Sequence, residues 1–74
     1  MSYNINMENE ALKLGQNLKR IRVAKGISQG EIARTLKTDK GFVSNIENGK
    51  TNPTLATITK LAKAVGVSTD ELLK

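Results

Sequence analysis

With 74 residues, no cysteine and no histidine, the chain is sized for one domain with a marginal core, and disulfides, Cys/His metal centres and cysteine or histidine catalysis are excluded. Its seven carboxylates form no cluster or triad, so neither an enzyme nor a bound metal or cofactor is expected. The net charge of +5 is unevenly placed: residues 13–63 carry eleven Lys or Arg against Glu31, Asp39 and Glu47, while the first twelve residues hold −2 and the last eleven −1, a distribution that favours polyanions over a merely soluble basic surface once helices are added to it.

In chain order, Met1 to Asn6 has no period and is expected to fray. Residues 1–10 read as a polar extension and 11–74 as the domain. MSYNINMENE has neither the basic start nor the apolar stretch of a signal peptide, and no apolar run approaches the roughly 20 residues that cross a bilayer, so a cytoplasmic protein without membrane contact is expected. Asn6 can cap a first helix from Met7, in which Ala11, Leu14, Leu18 and Ile21 step by three and four while Lys13, Lys19 and Arg20 face away. It should end at Lys25-Gly26. Gly15 lies inside this pattern at a cost of about 1 kcal/mol relative to Ala, which predicts that the segment before it is loosely attached.

Ser28 and Glu31 form a capping box, hydroxyl and carboxylate satisfying helix-start N–H groups reciprocally. From them Ile32, Ala33 and Leu36 share one face of a second helix, with Arg34, Thr35 and Lys37 opposite. Thr38 and Asp39 break the pattern, and Asp39 suits the N-cap of a third helix from Lys40. There Val43 and Ile46 point inward, Gly41, Ser44, Asn45 and Asn48 point outward, and Asn48-Gly49 closes the helix. An outward face of small and amide side chains, where a solvated helix would carry Glu and Lys, suits base-edge reading in a major groove. Phe42, one of two aromatics, can pack between helices or touch a thymine methyl. Ser44 can meet a base or bond back to its own helix. Arg22 and Glu47 lie at the inward edges of their helices, where a charge needs a partner, so they are expected to pair rather than snorkel independently.

KTNPT is a loop by composition. Asn52 before Pro53 is a plausible start for a fourth helix, with Thr54 the alternative cap. Leu55, Ile58, Leu61, Ala62 and Val65 make its apolar stripe, and Gly66 stops it. A last short helix starts at Ser68, with Glu71 three residues later as a second capping box, and carries Leu72 and Leu73. Val65, Val67, Leu72 and Leu73 exceed what a monomer needs to cover its core, which predicts a dimer interface there, the alternative being a last helix that folds back as a lid.

Five helices and no strand thus make an all-α protein. LKRIRVAKGISQGEIARTL, FVSNIENGKTNPTL and ITKLAKAVGVSTDELL together resemble the XRE helix-turn-helix family of phage Cro and repressor proteins, over about Leu14 to Leu73. The match joins Arg22, Ser28-Gln29, Ile32-Ala33, Ser44, Ile46-Glu47, Gly49, Pro53 and the LAKAVGVS turn in one register. Within the family, TDKGFVSNIENGKTNPTL looks most like the controller proteins of restriction–modification systems, with similar stretches in antitoxins and in plasmid or phage repressors.

The resemblance implies a compact five-helix bundle of the lambda repressor-like kind, bacterial or phage and nucleoid-associated, acting as a homodimer on a palindromic operator. By position, Lys40, Gly41, Ser44 and Asn45 would face base edges in double-stranded DNA. Gln29, Asn48, Lys50 and Asn52 would lie at phosphates, and Arg22 and Glu47 would buttress the helices. Two departures stand out. Gly41 replaces a residue that is often polar, and Lys37 occupies a joint where many relatives carry glycine, which predicts either a strained, positive φ or a different turn. An autoregulatory transcription factor that excludes or recruits RNA polymerase is the expected function. An antitoxin or interaction module that binds a toxin is the alternative.

Overall fold

The computed structural model describes the backbone of residues 7–74 and the side chains of residues 10–74. The expected fraying of Met1–Asn6 and the Asn6 cap lie outside the described residues. Five helices follow: α1 (Met7–Ala24), α2 (Gln29–Leu36), α3 (Lys40–Glu47), α4 (Leu55–Ala64) and α5 (Thr69–Leu73), with no strand among the described residues. α1 begins ahead of the expected domain start at residue 11 and runs through it unbroken. No described helix is long and apolar enough to cross a membrane.

The same two devices delimit the elements again and again. Ser28, Asp39, Thr54 and Ser68 are extended N-caps whose oxygens accept from the N–H three residues on, at 3.0, 2.8, 3.2 and 3.1 Å, satisfying donors that a helix start leaves orphaned. Thr54 therefore caps α4, and Asn52 and Pro53 stay in the connecting loop. The Ser28 box is closed both ways, Ser28 N–H donating to Glu31 Oε1 at 2.8 Å. That N–H holds the Glu31 carboxyl below its usual range. At Ser68 only the hydroxyl half of the expected box forms.

The C-terminal device is the Schellman pattern, in which a left-handed residue lets two N–H groups reach back to the last carbonyls. Ile27→Arg22, Thr38→Ala33, Lys50→Asn45 and Val67→Ala62 are its long bonds, at 3.0, 2.8, 2.9 and 2.9 Å. Glycine supplies the positive φ at 26, 49 and 66, but Lys37 does so after α2, with φ 61°, the first of the two outcomes expected at this joint.

Leu14, Leu18 and Ile21 of α1, Ile32 and Ala33 of α2, Val43 and Ile46 of α3, Leu61 and Ala62 of α4, then Val65 and Leu72, form one buried core. Two expectations fail here. Leu55 is 68% exposed, because at 100° per residue it sits about 120° around α4 from Leu61. The segment before Gly15 is not loose: Ala11 and Leu14 are buried. A Cβ at Gly15 would fall 2.3 Å from the Ile46 carbonyl oxygen and 2.6 Å from that of Glu47. Glycine is there so that α1 can touch the last turn of α3. Gly49 answers in kind, since a Cβ there would lie 2.6 Å from the Leu12 side chain.

Candidate nucleic-acid interface

α3 is fixed from behind before it offers anything in front. Val43 and Ile46 are fully buried and Glu47 is 6% exposed, a position that a carboxylate tolerates only with partners. Arg22 supplies two, Nε donating to Oε2 at 2.6 Å and Nη2 to Oε1 at 3.0 Å. This fork is bidentate, the geometry in which Arg–carboxylate pairs are strongest. The hydrogen bond raises the Arg22 pKa above its ordinary value, outweighing burial, which lowers it. Nη1 of Arg22 also donates to the Ile27 carbonyl at 3.1 Å, and Gln29 Nε2 donates to Glu47 Oε1 at 2.9 Å. One carboxylate thus ties α1, the α1–α2 turn, α2 and α3 together, and the expected Arg22–Glu47 pair is present.

The opposite face of α3 is open. Lys40, Gly41, Asn45 and Asn48 are exposed, as are Lys50 and Asn52 in the loop that follows. The Asn45 amide has no protein partner among the described residues, so all its donors and acceptors are available. Gly41 leaves bare backbone, because a Cβ there would meet only Asp39 Oδ1, at 3.3 Å. Ser44 is half-buried, and its Oγ accepts from Asn48 Nδ2 at 3.4 Å, a weak link that orients Asn48. Phe42 packs on the core, which favours the packing role over a thymine contact.

Gln29 stands at the start of α2 with one amide N–H engaged by Glu47. Its second amide N–H remains free to donate. It lines a cleft of about 480 Å³ with Lys19, Arg22, Ser28, Gly30, Lys40, Glu47 and Asn48. Arg22 is neutralised by Glu47, so the exposed lysines 19 and 40 are the free charges at this mouth, beside the positive end of the α2 dipole. Lys19 was read only as a solvated residue. Its spacing from Arg22 along α1 was the available signal.

Two more side chains escaped the sequence reading. Asn17 Nδ2 donates to the Leu72 carbonyl at 2.9 Å, and Lys25 Nζ to those of Val65 and Gly66 at 2.8 and 3.3 Å, so that α1 and the residue after it cap the ends of α5 and α4. The expected dimer residues do not gather on one surface. Val65 and Leu72 are 1% and 0% exposed because they fill this chain's own core. Val67 packs partly buried against it, and only Leu73, at 42%, is open.

The chain spans only 56% of the SPbeta prophage-derived HTH-type transcriptional regulator YonR of Bacillus subtilis, to which it is 45% identical over 60 residues, or 81% of its own length. It is also similar to the restriction–modification controller protein C.AhdI of Aeromonas hydrophila, with 38% identity, a TM-score of 0.81, and coverage of 86% of this chain and 97% of that one. The controller protein C.Esp1396I, solved as a tetramer in complex with its natural 35 base-pair operator, matches at 28% identity and a TM-score of 0.72 over 86% of this chain and 95% of that one. A helix-turn-helix family model covers residues 18–72, a span that contains α2, α3, the Arg22–Glu47 pair and the cleft beside them. The chain belongs to the helix-turn-helix family.

Proposed function

We propose that this chain is a sequence-specific regulator of transcription that binds double-stranded DNA as a homodimer on a palindromic operator and acts by occupancy, not turnover. The observation that carries the reading is the asymmetry of α3. Its inner face is locked by the four-hydrogen-bond knot around Arg22 and Glu47, while its outer face presents unpartnered polar groups and bare backbone to solvent. A helix that is rigid behind and small in front enters a major groove without a large entropic cost.

Each residue has a role in this reading. Asn45 bonds adenine in a bidentate manner, and Lys40 reaches guanine or a phosphate. Gly41 admits a base edge close to the helix backbone, and Ser44 acts mainly by holding Asn48. Gln29, Asn48, Lys50 and Asn52 take phosphates, as does Lys19 across the cleft. Reading helices about 34 Å apart would meet half-sites one helical turn apart, which a two-fold dimer provides. The protein works in the cytoplasm of a bacterial or phage host. Its occupancy follows its concentration, and it excludes or recruits RNA polymerase at its own promoter, in the manner of a controller protein.

Selection from a random duplex library at two salt concentrations tests the reading. A palindrome with half-sites about ten base pairs apart supports it. No motif, with binding abolished at the higher salt, refutes sequence-specific recognition. On the selected site, Asn45→Ala should cost about 1–3 kcal/mol and relax one base preference, whereas Lys50→Ala should weaken all sequences alike and flatten the salt slope by about one. An equal loss on specific and random duplexes would remove Asn45 as a reader.

A further inference from the structure

Of the four Schellman ends, the only one built on a side chain that resists the left-handed conformation is at Lys37. The Schellman bonds fix the backbone at Lys37 but do not call for lysine, and its exposed side chain has no hydrogen-bond or ion-pair partner among the described residues, so the outlier points toward a use. Lys37 lines a second cleft, of about 370 Å³, with Thr35, Leu36, Lys60 and Lys63, between α2 and α4. Its floor is half-buried Leu36 and its three lysines are exposed. Arg22–Glu47 is the one salt bridge among the described residues, so three like charges converge on an apolar floor with no carboxylate to balance them.

Of the six described carboxylates three are engaged elsewhere, and Glu10 stands exposed on α1. Glu31 closes its capping box, Asp39 caps α3, and Glu47 holds Arg22 and Gln29. Asp70 and Glu71 of α5 are exposed, and Glu71 leaves its own box open. Beside them Leu73 is 42% exposed. This acidic, apolar edge is the complement of the lysine cleft. α4 stands between the two, packing on α2 with one side and on α5 with the other, and no ion pair joins them within the chain. We propose that a second copy of this chain seats its α5 edge, Asp70, Glu71 and Leu73, on the Lys37–Lys60–Lys63 cleft. The contact is made twice about a two-fold axis, since an isologous interface pairs each patch with its complement on the other copy. The proposal rests on the homodimer reading and names its surface.

Charge reversal tests it. K60E/K63E and D70K/E71K alter exposed side chains only, and circular dichroism verifies that both variants fold. Each variant sets like charges against like in its own dimer, so sedimentation equilibrium should show dimerisation weakened at least about ten-fold. An equimolar mixture restores both contacts and should recover the wild-type dimer, as should the quadruple variant. A wild-type chain that stays monomeric refutes the homodimer reading itself. A wild-type dimer that neither variant weakens, or that mixing does not restore, overturns the assignment of this surface and leaves homodimerisation standing. If K60E/K63E leaves the dimer intact but lowers the salt slope of duplex binding by about two, the cleft takes DNA phosphates and the proposal is wrong.

Discussion

Gly15→Ala adds one methyl group, and helix propensity and tertiary contact give it opposite signs. On propensity alone the change gains about 1 kcal/mol, because Gly15 lies inside an 18-residue helix. The new Cβ would stand 2.3 and 2.6 Å from two carbonyl oxygens of α3, where side-chain carbons essentially never come within 3.0 Å. α1 must therefore withdraw by at least about 0.7 Å from the last turn of α3. The obstacle is backbone, so no rotamer relieves it, and the cost belongs near the top of the roughly 1–3 kcal/mol range for overpacking. The net loss should be about 2 kcal/mol, or a Tm lower by roughly 8–16 °C for a domain of this size. Gly30→Ala is the internal control: its Cβ meets nothing closer than 3.6 Å, so it should gain about 0.5–1 kcal/mol. Urea unfolding of both variants decides the matter. If Gly15→Ala is as stable as Gly30→Ala, α1 does not approach α3 as described.

Three further changes probe the caps and the knot. Glu47→Gln keeps the shape of the side chain but leaves the Arg22 guanidinium, 13% exposed, without its counter-charge, and should cost about 3 kcal/mol or more in urea unfolding. Lys37→Gly should relieve a left-handed strain of about 1–2 kcal/mol at an added unfolded-state entropy of about 0.5–1, so that Tm rises by a few degrees. A fall in Tm would show that φ 61° carries no strain there. Glu31 has a lowered pKa through its bond to the Ser28 N–H, so its contribution is fully present above the ordinary carboxylate range and is lost as pH falls through the lowered folded value. Thermal melts of wild type and Glu31→Gln should therefore differ near neutral pH and converge in acid, and a constant difference would remove Glu31 from the acid limb.

The parts of the fold that were legible in the sequence are those set by neighbours along the chain. Ser28 with Glu31, Asp39 ahead of Lys40, and Gly26, Gly49 and Gly66 are local signals, so they placed α2, α3 and the helix ends closely. The left-handed Lys37 is one of the two outcomes that its joint in the resemblance left open. Arg22 and Glu47 were paired because each charge fell at an inward edge. What was missed depends on how non-adjacent helices cross. Gly15 read as a defect because its reason, the Ile46 carbonyl, lies 31 positions away in sequence. Asn17 and Lys25 drew no reading as caps because the carbonyls they reach belong to α5 and to the end of α4. Apolar count assigned Val65 and Leu72 to an interface, yet a core this thin consumes both and leaves Leu55 outside. The base- and phosphate-facing roles rest on exposure and position, which a helix with an unpartnered Asn45 satisfies without identifying its ligand.

A core of mostly aliphatic side chains drawn from five short helices gives limited free energy to hold α3 in place, and burial alone sets its depth better than its rotation. The directional contacts fix the rotation. The Arg22 fork sets the azimuth of Glu47, Gln29 ties the same carboxylate to α2, and the Gly15 contact brings α1 against the carbonyls of Ile46 and Glu47. Glu47 lies a little over half a turn from Asn45 on α3, so its azimuth also determines where the Asn45 amide points. Replacing Arg22 and Glu47 together by apolar residues of similar volume can therefore preserve stability while loosening that azimuth. The double variant should fold as firmly as wild type and discriminate poorly between its selected duplex and a random one. Full discrimination by that variant would mean that the core alone orients the reading helix.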